Sequence, residues 1–273
     1  MAKIRELSFG ALITDADLGN LDDSSFAVIQ EAYNKHGLIF FHDQDITPEQ
    51  QLLFAQRFGP INVNRFFKPV DGHPEIAEVS KEPDQTINIG GGWHTDHSYD
   101  VAPAMGSILY ALEVPPLGGD TLFASMYLAY DALSEGLKET LGGMRAIHSS
   151  RHVFGTQNDV YANAGDRIGN PDQAMQDAAH PVVITHPLSG QKALFVNPVF
   201  TTHFEGWTDE ESKPLLNMLC QHASRPEFTC RFIWRKGSVA FWDNRATWHY
   251  ALNDYHGHRR MMHRVTVAGT TLE

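Results

Sequence analysis

The chain has almost no cysteine: Cys220 and Cys230 are the only two in 273 residues. One falls inside an expected helix and the other beside an expected strand, so a disulfide framework of the kind that staples small secreted domains is not available. Apolar runs are short as well. None approaches the roughly 18 residues that a membrane-spanning helix requires, and the opening MAKIRELSFGALITDADLG lacks the apolar core of an export signal. Positive charge is scarce, with 21 lysines and arginines against 33 acidic residues and a formal net charge of −12. That balance disfavours loose attraction to nucleic acid or to an anionic membrane surface. A Pro/Gly/Ser-rich linker, an internal repeat and a low-complexity tract are also missing. The expectation is a soluble, cytoplasmic protein with reduced thiols, folded as one domain over residues 1–273, with no nucleic-acid or membrane partner. Any anionic ligand must be met by a local basic pocket.

What is present reads as a mixed α and β pattern. From Asp23 to Gly37, Phe26, Ile29 and Tyr33 recur at helical spacing, with Ser24 or Asp23 to cap the start and Gly37 to end it. Leu38–Phe41 reads as a buried strand. Thr47-Pro48-Glu49-Gln50 opens a second helix with a capping box and proline at the first helical position. Beyond Gly59 come short β-prone runs between turn residues: Ser107–Leu112, Thr121–Ala124, Val182–Thr185, Ala193–Val196, Phe232–Trp234, Ser238–Trp242 and Met261–Ala268. Many short strands of this kind indicate a jelly roll or barrel. Helical insertions are expected over Met126–Leu141 and Asp209–Ala223, with Pro214 positioned to kink or restart the second.

Non-haem Fe(II) chemistry needs imidazole and carboxylate ligands that leave coordination positions open, which two histidines and one carboxylate provide. His94-Thr95-Asp96 has the H-x-D form, and residues two apart on an extended segment project to one face. His73-Pro74-Glu75 and His203-Phe204-Glu205 share the looser H-x-[DE] pattern, and chance alone supplies about two such matches. Context favours His94 and Asp96, because Gly90-Gly91-Gly92 lets backbone approach a site closely, whereas Pro74 sits in a turn-like stretch, Asp71-Gly72-His73-Pro74. Near the C-terminus His249 lies on a β-prone run, followed by Arg259-Arg260-Met261-Met262-His263-Arg264-Val265-Thr266-Val267. As a strand, that segment turns Arg260, Met262, Arg264 and Thr266 to one face. An unpaired buried guanidinium is strongly unfavourable, so two inward arginines point to two bound anions.

Taken together, W-H-T-D at Trp93–Asp96, P-P-L-G-G-D-T-L at Pro115–Leu122, H-P-L-S-G at His186–Gly190, F-V-N at Phe195–Asn197 and W-D-N-R-A-T-W-H at Trp242–His249 followed by R-R-M-M-H-R make the sequence resemble the taurine dioxygenase family of Fe(II)/2-oxoglutarate oxygenases. The resemblance runs from about residue 38 to 268. It implies a mixed α+β fold with a double-stranded β-helix (jelly roll) core and flanking helices. It also implies Fe(II), 2-oxoglutarate and O2 as cofactor and cosubstrates. Carried over position by position, it makes His94, Asp96 and His249 the catalytic iron ligands, and Thr121 with Arg260 the pair that binds the distal carboxylate of 2-oxoglutarate. Arg260 follows His249 by 11 residues, as the family pattern has it. Arg264 resembles the family's substrate-anion arginine, and Phe154 and Phe200 its aromatic pocket walls. Asn64 stands where taurine-using members carry histidine, and Gly90 where they carry asparagine. Tyr250, Asp243, Asn244 and Arg245 are expected to form the turn that orients His249.

The implied reaction is oxidation of a small anionic molecule such as a sulfonate, sulfate ester or carboxylate, with release of succinate and CO2. Two other classes stay open on the residues alone: a Zn-dependent hydrolase on the same three ligands, and a non-catalytic anion-binding jelly-roll protein. A homo-oligomer, dimer or tetramer, is allowed for. The departures at Asn64 and Gly90 point away from taurine, and Arg264 with an apolar wall of Phe154 and Phe200 and the loss of the histidine at Asn64 points to an anionic substrate with an apolar body.

Overall fold

A computed structural model describes residues 1–156 and 165–273. Its strands, in chain order, are β1 (Lys3–Glu6), β2 (Ala11–Thr14), β3 (Leu38–Phe41), β4 (Pro69–Val70), β5 (His73–Lys81), β6 (Gly106–Glu113), β7 (Thr121–Ser125), β8 (Arg145–Ser149), β9 (Asp177–Pro181), β10 (Val183–Thr185), β11 (Lys192–Leu194), β12 (Thr201–Phe204), β13 (Thr229–Phe232), β14 (Val239–Asp243), β15 (Thr247–Ala251) and β16 (Arg260–Val267). The helices are α1 (Asp23–His36), α2 (Pro48–Gln56), α3 (Met126–Asp131), α4 (Glu135–Leu141), α5 (Arg151–Phe154) and α6 (Asp209–Ala223).

Eight strands form one sheet in the order β1-β2-β3-β14-β6-β16-β5-β4, and β13-β7-β15 form a smaller one. Pairing is antiparallel throughout the large sheet except between β2 and β3. Strand alternation gives the large sheet two apolar faces. Ile39, Phe41, Ile108, Val239, Phe241, Val265 and Val267 pack under Ile29, Ala32 and Tyr33 of α1 and Phe54 and Ala55 of α2. The other face sends Leu38, Phe40, Leu109, Trp242 and Met262 against Phe123 of β7 and Phe232 of β13. Phe40 stacks on Phe232 at 4.2 Å and meets Phe123 edge-on at 5.5 Å. Such pairs add roughly 0.5–1.5 kcal/mol each beyond their area burial. Helices α1 and α2 cover one side of the large sheet and the small sheet covers the other.

Local signals account for the helix ends. Asp22, one residue before the expected caps, accepts from Ser25 N at 2.6 Å, and Gly37 closes α1 at φ 65°. Thr47 and Gln50 form the expected capping box. The single helix expected over Met126–Leu141 is two, because Ser134 caps a new start by accepting from Leu137 N. Pro214 neither ends nor restarts α6, which runs unbroken from its Thr208/Glu211 capping box. Leu216, Leu219 and Ala223 on its buried face hold it in place. His73 and Pro74 belong to β5 instead of a turn, since the chain reverses earlier at Asp71–Gly72. Trp234 lies beyond the end of β13. Both cysteines are free, and burial pushes each thiol up to about 12. Among the described residues no helix is long and apolar enough to cross a membrane.

Candidate metal centre and anion pocket

His94 and His249 meet as an isolated antiparallel bridge beside β15. Each exchanges a backbone hydrogen bond with the other, His94 N to His249 O at 3.1 Å and His249 N to His94 O at 2.8 Å, and the rings lie 4.0 Å apart. The glycine run before His94 makes this approach feasible. Gly90 sits at φ 79°, and a Cβ there would come within 3.3 Å of the His94 ring. After Asp96 the chain turns sharply. His97 takes φ 59°, a conformation that costs a non-glycine residue about 1–2 kcal/mol. Its ring is held by Asp100 Oδ2 at 3.1 Å and by the Asn64 amide at 3.4 Å.

His94, Asp96 and His249 are all buried and present ligand atoms within 4.8 Å of one another. The Asp96 oxygens lie 3.7 Å from His94 Nε2 and 3.9 Å from His249 Nε2. The opposite ring nitrogen of His94 bonds Gly92 O at 2.8 Å, which turns Nε2 toward the cluster. Burial would raise the Asp96 carboxyl, but the Arg264 guanidinium and then His249, His94 and His97 outweigh it, so the group is held well below the usual carboxylate range. Burial, then His94, pushes the His249 imidazole well below its ordinary value. An ionised carboxylate and a neutral imidazole are the forms that bind a divalent metal. Two nitrogens and one oxygen converging on one point, with cavity beyond them, fit a non-haem Fe(II) site. The other two H-x-[DE] histidines are elsewhere: His73 pairs with Glu49 at 3.2 Å and His203 with Asp209 at 3.4 Å.

The centre opens into a cavity of about 400 Å³ lined by Thr121, Arg260, Arg264, Phe154 and Phe200 together with Phe67, Val79, Ile87, Ile89, Val153 and Val199. Arg260 and Arg264 both point inward from β16, 5% and 6% exposed. Arg260 donates Nε to Gly119 O at 3.1 Å, and its Nη2 has no hydrogen-bond partner among the described residues. Thr121 accepts from Trp234 Nε1 at 2.9 Å, so its own hydroxyl hydrogen is left to donate into the cavity. Arg264 donates Nη1 to Asp96 Oδ2 at 3.0 Å, where Ser107 also donates at 3.2 Å.

Asn64 is the predicted site residue that stands apart. It does not line the cavity. Its carbonyl oxygen accepts from Phe66 N and Phe67 N at 2.9 and 3.0 Å, an Asx turn that fixes where the Phe67 ring enters. Three participants escaped sequence reasoning: Ser107, Phe67 and Trp234. Trp234 had only its β-prone surroundings as a signal, and nothing marked Ser107 as a partner of Asp96. Asp243 and Arg245 do form the turn before β15, joined by Nε–Oδ1 and Nη2–Oδ2 contacts of 2.8 and 2.6 Å.

Residues 3–266 match the family model described as "Taurine catabolism dioxygenase TauD, TfdA family". An alkylsulfatase from Acinetobacter baylyi is 34% identical over 273 residues, covering 98% of this chain and 85% of the relative. An (S)-phenoxypropionate/alpha-ketoglutarate-dioxygenase from Sphingobium herbicidovorans is 32% identical, covering 97% and 93%. Among solved structures, a putative alpha-ketoglutarate-dependent taurine dioxygenase from Burkholderia xenovorans superposes with a TM-score of 0.84 at 37% identity, covering 100% of this chain and 94% of that one. The chain belongs to the TauD/TfdA family and is a 2-oxoglutarate-dependent dioxygenase. Neither the hydrolase nor the non-catalytic alternative finds support.

Proposed function

We propose that this TauD/TfdA family member folds as a single domain on a double-stranded β-helix core and holds Fe(II) through His94, Asp96 and His249. Arg260 and Thr121 take the distal carboxylate of 2-oxoglutarate, and Arg264 takes the anionic group of the primary substrate. Iron with 2-oxoglutarate and O2 supplies the oxidising chemistry, with succinate and CO2 as co-products. The protein's own residues position the reactants and keep water away. One observation carries the reading: Arg260 and Arg264, buried guanidiniums that each keep a nitrogen without a hydrogen-bond partner among the described residues, line the same cavity as His94, Asp96 and His249. A buried donor left unmatched costs about 1–3 kcal/mol and more when charged, so each is a place for an anion.

The substrate we propose has a sulfonate, sulfate or carboxylate at one end and an alkyl or aryl body. Relatives named for alkyl sulfate and phenoxypropionate chemistry support this class. So does the largely apolar wall of Phe67, Val79, Ile87, Ile89, Val153, Phe154, Val199 and Phe200, which suits an alkyl or aryl body better than a hydrated ammonium group. Taurine should therefore be a poor substrate. The ground for this is the apolar wall, with Asn64 acting only through the position of Phe67. We also propose a cytoplasmic location, which the two free cysteines support.

Substrate-dependent succinate release with hexanesulfonate, hexyl sulfate, phenoxyacetate and taurine tests the class, and release with taurine exceeding all three others would refute it. Alanine at His94, Asp96 or His249 should each weaken Fe(II) binding by more than about 100-fold, beyond the usual effect of losing a ligand's supporting partner. Alanine at His73 or His203 should leave it unchanged.

A further inference from the structure

The Arg264 guanidinium has two different surroundings on one planar group. Nη1 is held by Asp96 Oδ2 at 3.0 Å, while Nε and Nη2 are buried without a hydrogen-bond partner among the described residues. Nε–H and one Nη2–H point the same way along one edge of a guanidinium, the two-pronged fork that matches two oxygens of a carboxylate, sulfonate or sulfate. The Phe67 ring lies 4.3 Å from the guanidinium carbon, and β16 pairs the residue with Ala77 of β5 and Leu109 of β6. The group is therefore held in place, with two of its three nitrogens lacking a hydrogen-bond partner among the described residues. On the other side, both hydrogen bonds that the Asp96 carboxylate receives among the described residues fall on Oδ2, from Arg264 and Ser107. Oδ1, which faces His94 Nε2 at 3.7 Å, receives neither.

We infer that Arg264 couples substrate to metal: its fork receives the substrate anion while Nη1 holds the iron ligand Asp96, so that each of the two ligands strengthens binding of the other. The inference rests on the assignment of Arg264 to the substrate anion made above and adds Asp96 to it. Without an anion, Arg264 draws on the carboxylate charge that a divalent metal must use. An anion in the fork offsets the guanidinium charge and returns that electron density to Asp96. A metal on Asp96 in turn weakens its hold on Nη1 and leaves the guanidinium freer to bind the anion. Thermodynamic linkage makes the two enhancements equal. A dication beside one anion and one unneutralised guanidinium carries excess positive charge, so the coupling is favourable in sign. Its size should be on the order of 10-fold, within the usual range for linked sites.

Calorimetric titration of the full chain with Mn(II), which needs no O2-free handling, reads the coupling without turnover. Titrations are run with and without saturating hexanesulfonate, hexyl sulfate or phenoxyacetate, and with hexanol as the uncharged control. The expected result is Mn(II) affinity raised on the order of 10-fold by an anion that binds and unchanged by hexanol. Arg264→Lys keeps a positive charge but loses the fork, and should abolish the enhancement. Ser107→Ala removes the other donor to the same Asp96 oxygen and should leave the enhancement in place, which separates coupling through the guanidinium from general loosening of the ligand. A wild-type chain that binds the anion with no change in Mn(II) affinity overturns the inference, as does enhancement surviving in Arg264→Lys. In the first case the assignment of Arg264 to the anion stands if Arg264→Lys has lost anion binding. Anion binding undiminished in Arg264→Lys, or absent from the wild type for all three anions, overturns both.

Discussion

Asp243 and Asp96 are each buried and each paired with a buried arginine, and the two pairs are made differently. Asp243 receives Arg245 through both prongs, at 2.8 and 2.6 Å, and the Tyr33 hydroxyl at 3.2 Å. His186 Nε2 stands 3.0 Å from the same carboxylate, poorly aligned for a hydrogen bond. Asp96 receives only one nitrogen of Arg264, at 3.0 Å, and the other two nitrogens of that guanidinium have no hydrogen-bond partner among the described residues. In both pairs burial opposes ionisation and the neighbouring cations outweigh it. The difference lies in completeness. A closed pair has nothing left to offer a ligand and can only fix geometry, here the turn between β14 and β15 that delivers His249. An open pair carries unmet donors, and their cost is recovered when a ligand arrives.

That contrast is broken most directly at the closed pair. Asp243→Ala leaves Arg245 buried without its partner and should destabilise the fold by about 3–5 kcal/mol, as broken buried pairs do. Chemical denaturation would measure it, and a change below about 1 kcal/mol would remove the structural role. Arg260→Ala tests an open position instead. It should raise the 2-oxoglutarate requirement roughly 10- to 100-fold, the effect of losing hydrogen bonds to a charged group, while moving stability far less than Asp243→Ala. Titration of 2-oxoglutarate by succinate yield and a melting curve on the same variant check both halves.

A third buried site has no counter-charge among the described residues and sharpens the comparison. His148, fully buried and 5.4 Å from the His180 ring, is lowered to about 3 from 6.5 by burial and then by His180. Between those values the unfolded chain takes up a proton that the folded chain refuses, so stability is full above about 6.5 and is lost as pH falls toward 3. One such group changes the unfolding equilibrium by about tenfold per pH unit in that window. Replacing His148 with Phe should flatten the acid limb of the stability profile, and an unchanged limb would assign it to other groups. The smallest effect is expected at Trp234→Phe, which keeps the ring beside Arg260 but removes the N–H that orients Thr121. The 2-oxoglutarate requirement should rise about 2- to 10-fold, the worth of one neutral hydrogen bond, with little change in melting temperature.

Much of this was legible in the order of the residues. Helix boundaries follow from caps that act within four residues, as at Thr47 and Gly37. The inward set Arg260, Met262, Arg264 and Thr266 follows from strand alternation, which needs no knowledge of the partner strand. The proposed metal ligands were readable as candidates because their motifs are local, and their side chains do converge in the fold. The orientation of Asn64 was not readable, for the converse reason. A side chain at the right sequence position still has to choose between cavity and backbone, and Phe66 N and Phe67 N lie closer.

By itself, then, the sequence determined which side chains can bind a metal and which face of each strand they occupy, because periodicity and short motifs act over a few residues. Only the tertiary structure decided which hydrogen-bonding groups are left without a partner. Arg245 and Arg264 are the same residue type, each buried beside an aspartate, but the partner of Arg245 is two residues away in its own turn and that of Arg264 comes from a distant segment. Whether a guanidinium is closed or open depends on groups from β6, the Phe67 loop and the turn after His94, all converging in space. The function proposed for this site rests on that incompleteness, which is a property of the assembled fold and not of any one segment.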